Sequence, residues 1–245
     1  MNDRPFAYEG ADLESMDLAE HYRDWILGWF APYLGRSLVE VGAGTGGFAR
    51  QLAERARPER MLLIEPSAGT AEQLRSSLRN GGSGVPTVVH TGFLAEAVPQ
   101  VQAADPDTFI YVNVLEHVEH DAAELAQVHA LLPPGGCVCI FVPALPFLYS
   151  EFDRSIGHFR RYTLAGLRAT AEAAGFEVPL ARYVDLLGIV PWLLSMKWLR
   201  SPRLSRRSVL AYDRLVVPVM SRVERRIRPP LGKNVLLVAR KPHDQ

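Results

Sequence analysis

The residues best suited to chemistry fall in two clusters. The first is "SLVEVGAGTGGFA", Ser37 to Ala49, where an apolar run meets closely spaced glycines and carries one carboxylate, Glu40. Gly42, Gly44 and Gly47 satisfy GxGxxG, while Gly42, Gly44 and Gly46 satisfy GxGxG, so the same letters fit two kinds of nucleotide-like cofactor. A strand, a glycine turn and a helix start bring backbone N–H groups close to such a ligand. The second cluster is "EFDRSIGHFRRYT", Glu151 to Thr163, which gathers Asp153, His158, Arg160, Arg161 and Tyr162 in what reads as a loop. His158 is the side chain there that titrates near neutral pH, which makes it the leading general-base candidate. Asp153 and Tyr162 stand with it as candidate catalytic residues. Arg160 and Arg161 are read as binding an acidic or phosphorylated substrate, or as pairing with Glu151 and Asp153 in a bland reading in which a His and two Arg tie the loop down.

These clusters need elements to hold them. "SLVEVG", "RMLLIEP", "PTVVHTG", "DTFIYVNV", "CVCIFVPA", "EVPLARYVDLLG" and "NVLLVARK" read as seven strands. Helical patterns fall between them, over 12–34, about 46–56, up to Asn80, 119–132 and 163–176. The alternation predicts an α/β fold: a doubly wound, mostly parallel, seven-stranded, Rossmann-like sheet with helices on both faces. Residues 1–245 read as a single domain, and residues 187–230 break the rhythm as a helical insertion before the last strand. Ligands of such sheets bind outside the carboxyl ends of the strands, where both clusters belong.

Composition narrows the function classes. Lys plus Arg and Asp plus Glu each number 27, so no basic excess argues for nucleic acid as a partner. Cys137 and Cys139 sit two apart on one strand face and read as buried structural thiols. "EHVEH" places His117 and His120 three apart, which reads as a helix start at the surface, and no metal is expected. The N-terminus lacks a signal-peptide pattern and the most apolar stretch is too short to span a bilayer, so a cytoplasmic location is expected.

Glu40 addresses the cofactor. A carboxylate beside the glycine turn tends to repel the pyrophosphate of a dinucleotide. It would hold the amino group and sulfonium of S-adenosyl-L-methionine (SAM), which are both positive. Glu65, ending the second strand, suits ribose hydroxyls of any adenosine ligand, although a helix N-terminal carboxylate is its alternative. With these residues in place, the chain resembles a class I SAM-dependent methyltransferase. "VEVGAGTG" and "LLIEP" match the first two motifs, and "NVLEHVEHDAAELAQVHALLPPGGCVCIFVPA" the later ones. "LYSEFDRSIGHFRRYT", "RYVDLLGIVPW" and "GKNVLLVARK" are similar to a bacterial subgroup with NVLEH and GHxRRY motifs, except that Asp185 stands where that subgroup tends to have Asn. The resemblance implies SAM as cofactor, held by Gly42, Gly44, Gly46, Glu40 and Glu65. It implies that Asn113, Val114 and Glu116 line the methionine end and reaction centre. Gly92 and Phe93 would lie near the adenine, and Tyr22 would close over the cofactor.

The expected activity is in-line methyl transfer to a small-molecule or lipid-like acceptor in bacterial small-molecule biosynthesis, at oxygen, nitrogen or carbon. A SAM-binding protein without methyl transfer, cyclase or regulatory, is the alternative, and an NAD(P)-dependent oxidoreductase a more distant one. From Lys197 to Arg228 there are ten basic residues and two acidic ones. The insertion is therefore expected to act as a lid facing an anionic group, on the acceptor or on a peripheral membrane surface, or else to be an ordinary cap with solvated Arg.

Overall fold

The computed structural model describes residues 18–80, 84–198 and 205–243. The expected helix start at 12–17, part of the "GGSG" turn, and Arg200 and Arg203 lie outside the described residues. Seven strands form one sheet: β1 Ser37–Val41, β2 Arg60–Glu65, β3 Thr87–Thr91, β4 Thr108–Val112, β5 Cys137–Pro143, β6 Glu177–Val184 and β7 Asn234–Arg240. Their order is β3-β2-β1-β4-β5-β7-β6. β7 pairs antiparallel with β5 and β6, and the other pairs are parallel. The strand order reverses between β1 and β4, which puts the crevice of an open α/β sheet at their carboxyl ends.

The inner strands are mostly apolar and buried along nearly their whole length because both faces are covered. On one face, Val39, Ile64, Phe109 and Ile140 pack with the helices Asp121–Leu131 and Leu164–Ala173. On the other, Leu38, Leu63, Ile110 and Phe141 pack against Tyr22, Trp25, Ile26 and Phe30 of the helix Glu20–Phe30. Cys137 and Cys139 are buried free thiols on this second face, as their spacing predicts. Alternation along β1 sends Glu40 to the same face as Leu38.

Two local readings need correction. The helix Val98–Ala104 lies in a stretch given no element, although Pro99 at its first turn is a start signal. The supposed loop after β5 begins with a helical turn, Glu151–Ser155. Asp153 nucleates it by accepting from both the N–H and the hydroxyl of Ser150, each at 2.8 Å.

Between β6 and β7 the chain is helical over Ile189–Trp192, Leu193–Trp198, Arg206–Ala211, Tyr212–Val216 and Val217–Glu224. Asp185 ties this insertion to the sheet. It is fully buried, with φ at +65°. Its carboxylate accepts from Tyr22 Oη at 2.8 Å, from the Tyr212 hydroxyl and from the Gly188 N–H, and pairs with Lys233 Nζ at 2.9 Å. Asp185→Ala should lower the unfolding free energy by about 3–5 kcal/mol, because buried partners lose their acceptor. Arg154→Ala, which breaks an exposed pair with Glu151, should leave stability nearly unchanged. Urea denaturation of both variants checks the contrast.

Candidate functional site

A cleft of about 1150 Å³ opens at the carboxyl ends of β1, β2 and β4. This exceeds the roughly 300–1,000 Å³ of a single-ligand pocket, leaving room for a cofactor and a second reactant. The glycine turn forms one wall. Gly42 has φ +70°, and a Cβ there would lie 2.4 Å from Val114, so turn and β4 exit can close together only with glycine. The Gly44 N–H donates to Glu65 Oε2 at 2.9 Å, and the Ser67 N–H to Oε1 at 2.9 Å. Gly46 departs from expectation. Its φ is +86°, its absent side chain makes room for Leu74, and Gly47 rather than Gly46 lines the cleft.

Glu40 is buried on the cleft wall, and its Oε2 has no hydrogen-bond partner among the described residues. Burial pushes its carboxyl up to about 8, the nearby Glu65 adds to the rise, and Arg23 opposes it. Burial also raises Glu65, against the two N–H donors that favour its charged form. An orphaned buried carboxylate beside the turn suits a positively charged ligand group and opposes a phosphate.

The other expected cofactor residues are brought to the same cleft. Gly92 and Phe93 sit at the β3 exit, with the Phe93 side chain largely exposed at the mouth. Asn113 holds a left-handed backbone, φ +55°, fixed by its N–H to the Phe141 carbonyl at 2.8 Å. Val114, Glu116 and Tyr22 also line the cleft. Tyr22 is buried, and its hydroxyl is engaged by Asp185 and by Asn234 at 3.0 Å.

At the opposite end, Asp153 anchors a polar cluster. It is fully buried and accepts from Arg161 Nε at 2.8 Å, while Arg161 stacks over Trp192 at 4.3 Å. These contacts and His158 hold its carboxyl below the usual range against the effect of burial. His158 Nδ1 lies 2.9 Å from Asp153 Oδ1, which orients its Nε2 toward Glu116 Oε1 at 3.7 Å. Glu116 is fully buried, and burial pushes it up to about 8. His158 lines the cleft; Asp153 lies behind it.

Three placements correct the sequence reading. Tyr162 does not line the cleft: its hydroxyl is bonded to Asp121 Oδ2 at 2.8 Å and the Leu115 carbonyl at 3.1 Å, so direct contact with a substrate is not its place. Arg160 pairs with Asp121 at 2.8 Å rather than with an acid of its own segment. His117 is not a surface residue. It is half-buried in the cleft, edge-on to His158 with ring centroids 4.6 Å apart, and burial lowers it to about 4. Trp192, part of the apolar face expected to cover an acceptor, lines the cleft, and so do Arg23 and Lys233, which were not foreseen as site residues.

Residues 15–180 match the family model described as "Methyltransferase domain", and the chain belongs to that family. Solved structures share the fold at low identity. A SAM-dependent methyltransferase from Archaeoglobus fulgidus is 14% identical with TM-score 0.56, over 91% of this chain and 94% of that one. The plantazolicin methyltransferase BamL, solved with a triazolic desmethylPZN analog and SAH, is 12% identical with TM-score 0.56, over 96% and 88%. The [4+2]-cyclase SpnF is 16% identical with TM-score 0.59, over 92% and 82%. The family is consistent with SAM as cofactor, and the orphaned Glu40 fits its positive groups.

This fit carries a pH signature. A cationic ligand selects ionised Glu40, whose carboxyl sits near 8 before binding. SAM affinity should therefore rise as pH increases from 6.5 toward 8, by up to about tenfold per unit, with proton release. Glu40→Gln should weaken binding and flatten the slope. Calorimetry in buffers of different ionisation enthalpy measures both.

Proposed function

We propose that this protein is a SAM-dependent methyltransferase acting on a small-molecule or lipid-like acceptor. The observation that carries the reading is the buried Glu40 carboxylate on the cleft wall, whose Oε2 has no hydrogen-bond partner among the described residues, next to the glycine turn and Glu65. When bound, SAM supplies an activated methyl group. The chain's own work is to bind, orient and exclude water. Glu40 would hold the positive methionine end, Glu65 the ribose, and Gly92 with Phe93 the adenine side. The acceptor would enter opposite, against Trp192 and the Glu116–His158 cluster. Two roles are open to His158 Nε2 there: taking the acceptor's proton, as the sequence suggests, or the ligand role argued below.

A lipid-like acceptor is supported by the outer face of the insertion, which we read as a lid. Leu215, Val219 and Val223 are spaced four apart along the helical stretch 212–224, Ile227 follows just past its end, and the four are 72%, 55%, 40% and 51% exposed. Arg214, Arg222, Arg225 and Arg226 flank them, all exposed. The acids of this stretch are turned inward: Asp213 accepts from the His21 and Tyr22 N–H groups, and Glu224 from those of Asp185 and Leu186. An exposed aliphatic stripe edged with Arg fits an anionic bilayer surface.

SAM should bind and NAD should not, and labelled SAM should pass its methyl to an apolar acceptor. NAD binding without SAM binding would overturn the cofactor assignment. SAM binding without methyl transfer to any acceptor would favour a non-methylating SAM protein. Vesicles containing anionic lipid should co-sediment the protein and neutral ones should not, and added salt should weaken the association. Arg222→Gln with Arg226→Gln should abolish co-sedimentation while SAM affinity stays unchanged.

A further inference from the structure

Glu116, His117 and His158 bring one carboxylate oxygen and two imidazole nitrogens within 4.8 Å of one another. The first two come from the turn after β4, the third from the segment after β5. Three observations set this trio apart from an ordinary polar cluster. Glu116 is fully buried on the cleft wall, and neither of its oxygens has a hydrogen-bond partner among the described residues. Ionising a carboxylate in that state is costly unless a cation meets it. His158 Nε2 stands 3.7 Å from Glu116 Oε1, beyond hydrogen-bond distance. Bonds of about 2.0–2.2 Å to one tetrahedral metal ion would place neighbouring ligand atoms about 3.4 Å apart, close to this gap. Finally, His158 Nδ1 bonds to Asp153 at 2.9 Å. A carboxylate behind a histidine fixes its tautomer and leaves the other nitrogen's lone pair free to ligate.

We propose that Glu116, His117 and His158 bind a divalent first-row transition-metal cation, with an open coordination position toward the cleft. Two imidazoles and a carboxylate suit zinc, iron or cobalt better than magnesium or calcium. Three protein ligands and one open position are the pattern of a catalytic rather than a structural site. All three residues line the cleft, so the open position is accessible to an acceptor oxygen. Arg161 does not oppose the cation strongly, because Asp153 neutralises it at 2.8 Å. A hydroxyl on the metal loses its proton to water more readily, which prepares it as a nucleophile. His158 then acts as ligand and not as base. This consequence rests on the methyl-transfer reading; the binding of the ion does not.

The test uses tag-free, full-length protein, dialysed against chelator and titrated with Co²⁺ by absorbance and with Zn²⁺ by calorimetry. One equivalent should bind, Co²⁺ should develop ligand-field bands in the visible, and Zn²⁺ should bleach them. Glu116→Gln and His158→Gln should each weaken binding about tenfold or more. His120→Gln, at the exposed neighbour outside the trio, should not. In the unaltered protein Zn²⁺ should also protect His117 and His158 from diethyl pyrocarbonate, so the result does not depend on any variant folding. No stoichiometric binding, no protection, or binding indifferent to both Glu116→Gln and His158→Gln overturns the proposal. SAM and SAH calorimetry on the same metal-free protein reports on the cofactor separately, so either reading can fail alone.

Discussion

The structure depends on keeping a carboxylate at the buried end of its central strand. A partnerless ionised group in such a place costs several kcal/mol, and proteins normally pair it or neutralise it. Before a cation arrives, Glu40 takes the second course: burial and the neighbouring Glu65 push its carboxyl up to about 8, with Arg23 as the moderating cation. The neighbours make the arrangement possible. Gly42 and Gly44 turn the chain sharply away from β1, and the freed N–H of Gly44 spends itself on Glu65 rather than on Glu40. Tyr22, Ile26 and Phe141 wall the same face with apolar surface. Local rules of sequence are broken at this one point of an otherwise apolar strand, which is where function is expected.

The far end of the cleft is organised by the opposite strategy. Asp153 is as buried as Glu40, but every lone-pair direction is used: Ser150, His158 and Arg161 converge on it. A satisfied buried network is rigid, and its rigidity passes to His158, whose second nitrogen is thereby aimed at Glu116. Asp153 is therefore a positioning residue. Tyr162 is another: by bonding Asp121 and the Leu115 carbonyl, it pins the turn that carries Glu116 and His117.

How much was legible in the sequence follows from how local each feature is. The strands, the glycine turn and Glu65 are written in consecutive residues, and the mostly parallel sheet follows from their alternation; the antiparallel pairing of β7 does not, because alternation alone predicts parallel neighbours. Glu40 was legible because a charge interrupts an apolar run. His117 was misread because its partner, His158, is 41 residues away, and no spacing within "EHVEH" points to it. Gly46 was read as part of a ligand cradle; the structure gives it a left-handed turn before the helix Gly47–Gln51, with Leu74 filling the space a side chain would take. The Asp185 hub was invisible for the same reason: Tyr22 reaches it across 163 positions of chain.

The insertion shows how two surfaces can share one element. The inward side of Arg206–Glu224 presents Val209, Tyr212 and Val217 to the cleft, while Leu215, Val219 and Val223 face outward. The helical repeat alone makes this division, since residues four apart share a face and residues two apart lie on opposite ones. The inward side is fixed by Asp213, which accepts from the N–H groups of His21 and Tyr22 at the start of the helix Glu20–Phe30. That helix carries Tyr22 and Arg23 into the cleft. The insertion is therefore joined to the cleft wall through two buried carboxylates, Asp213 and Asp185, each bonded to Tyr22.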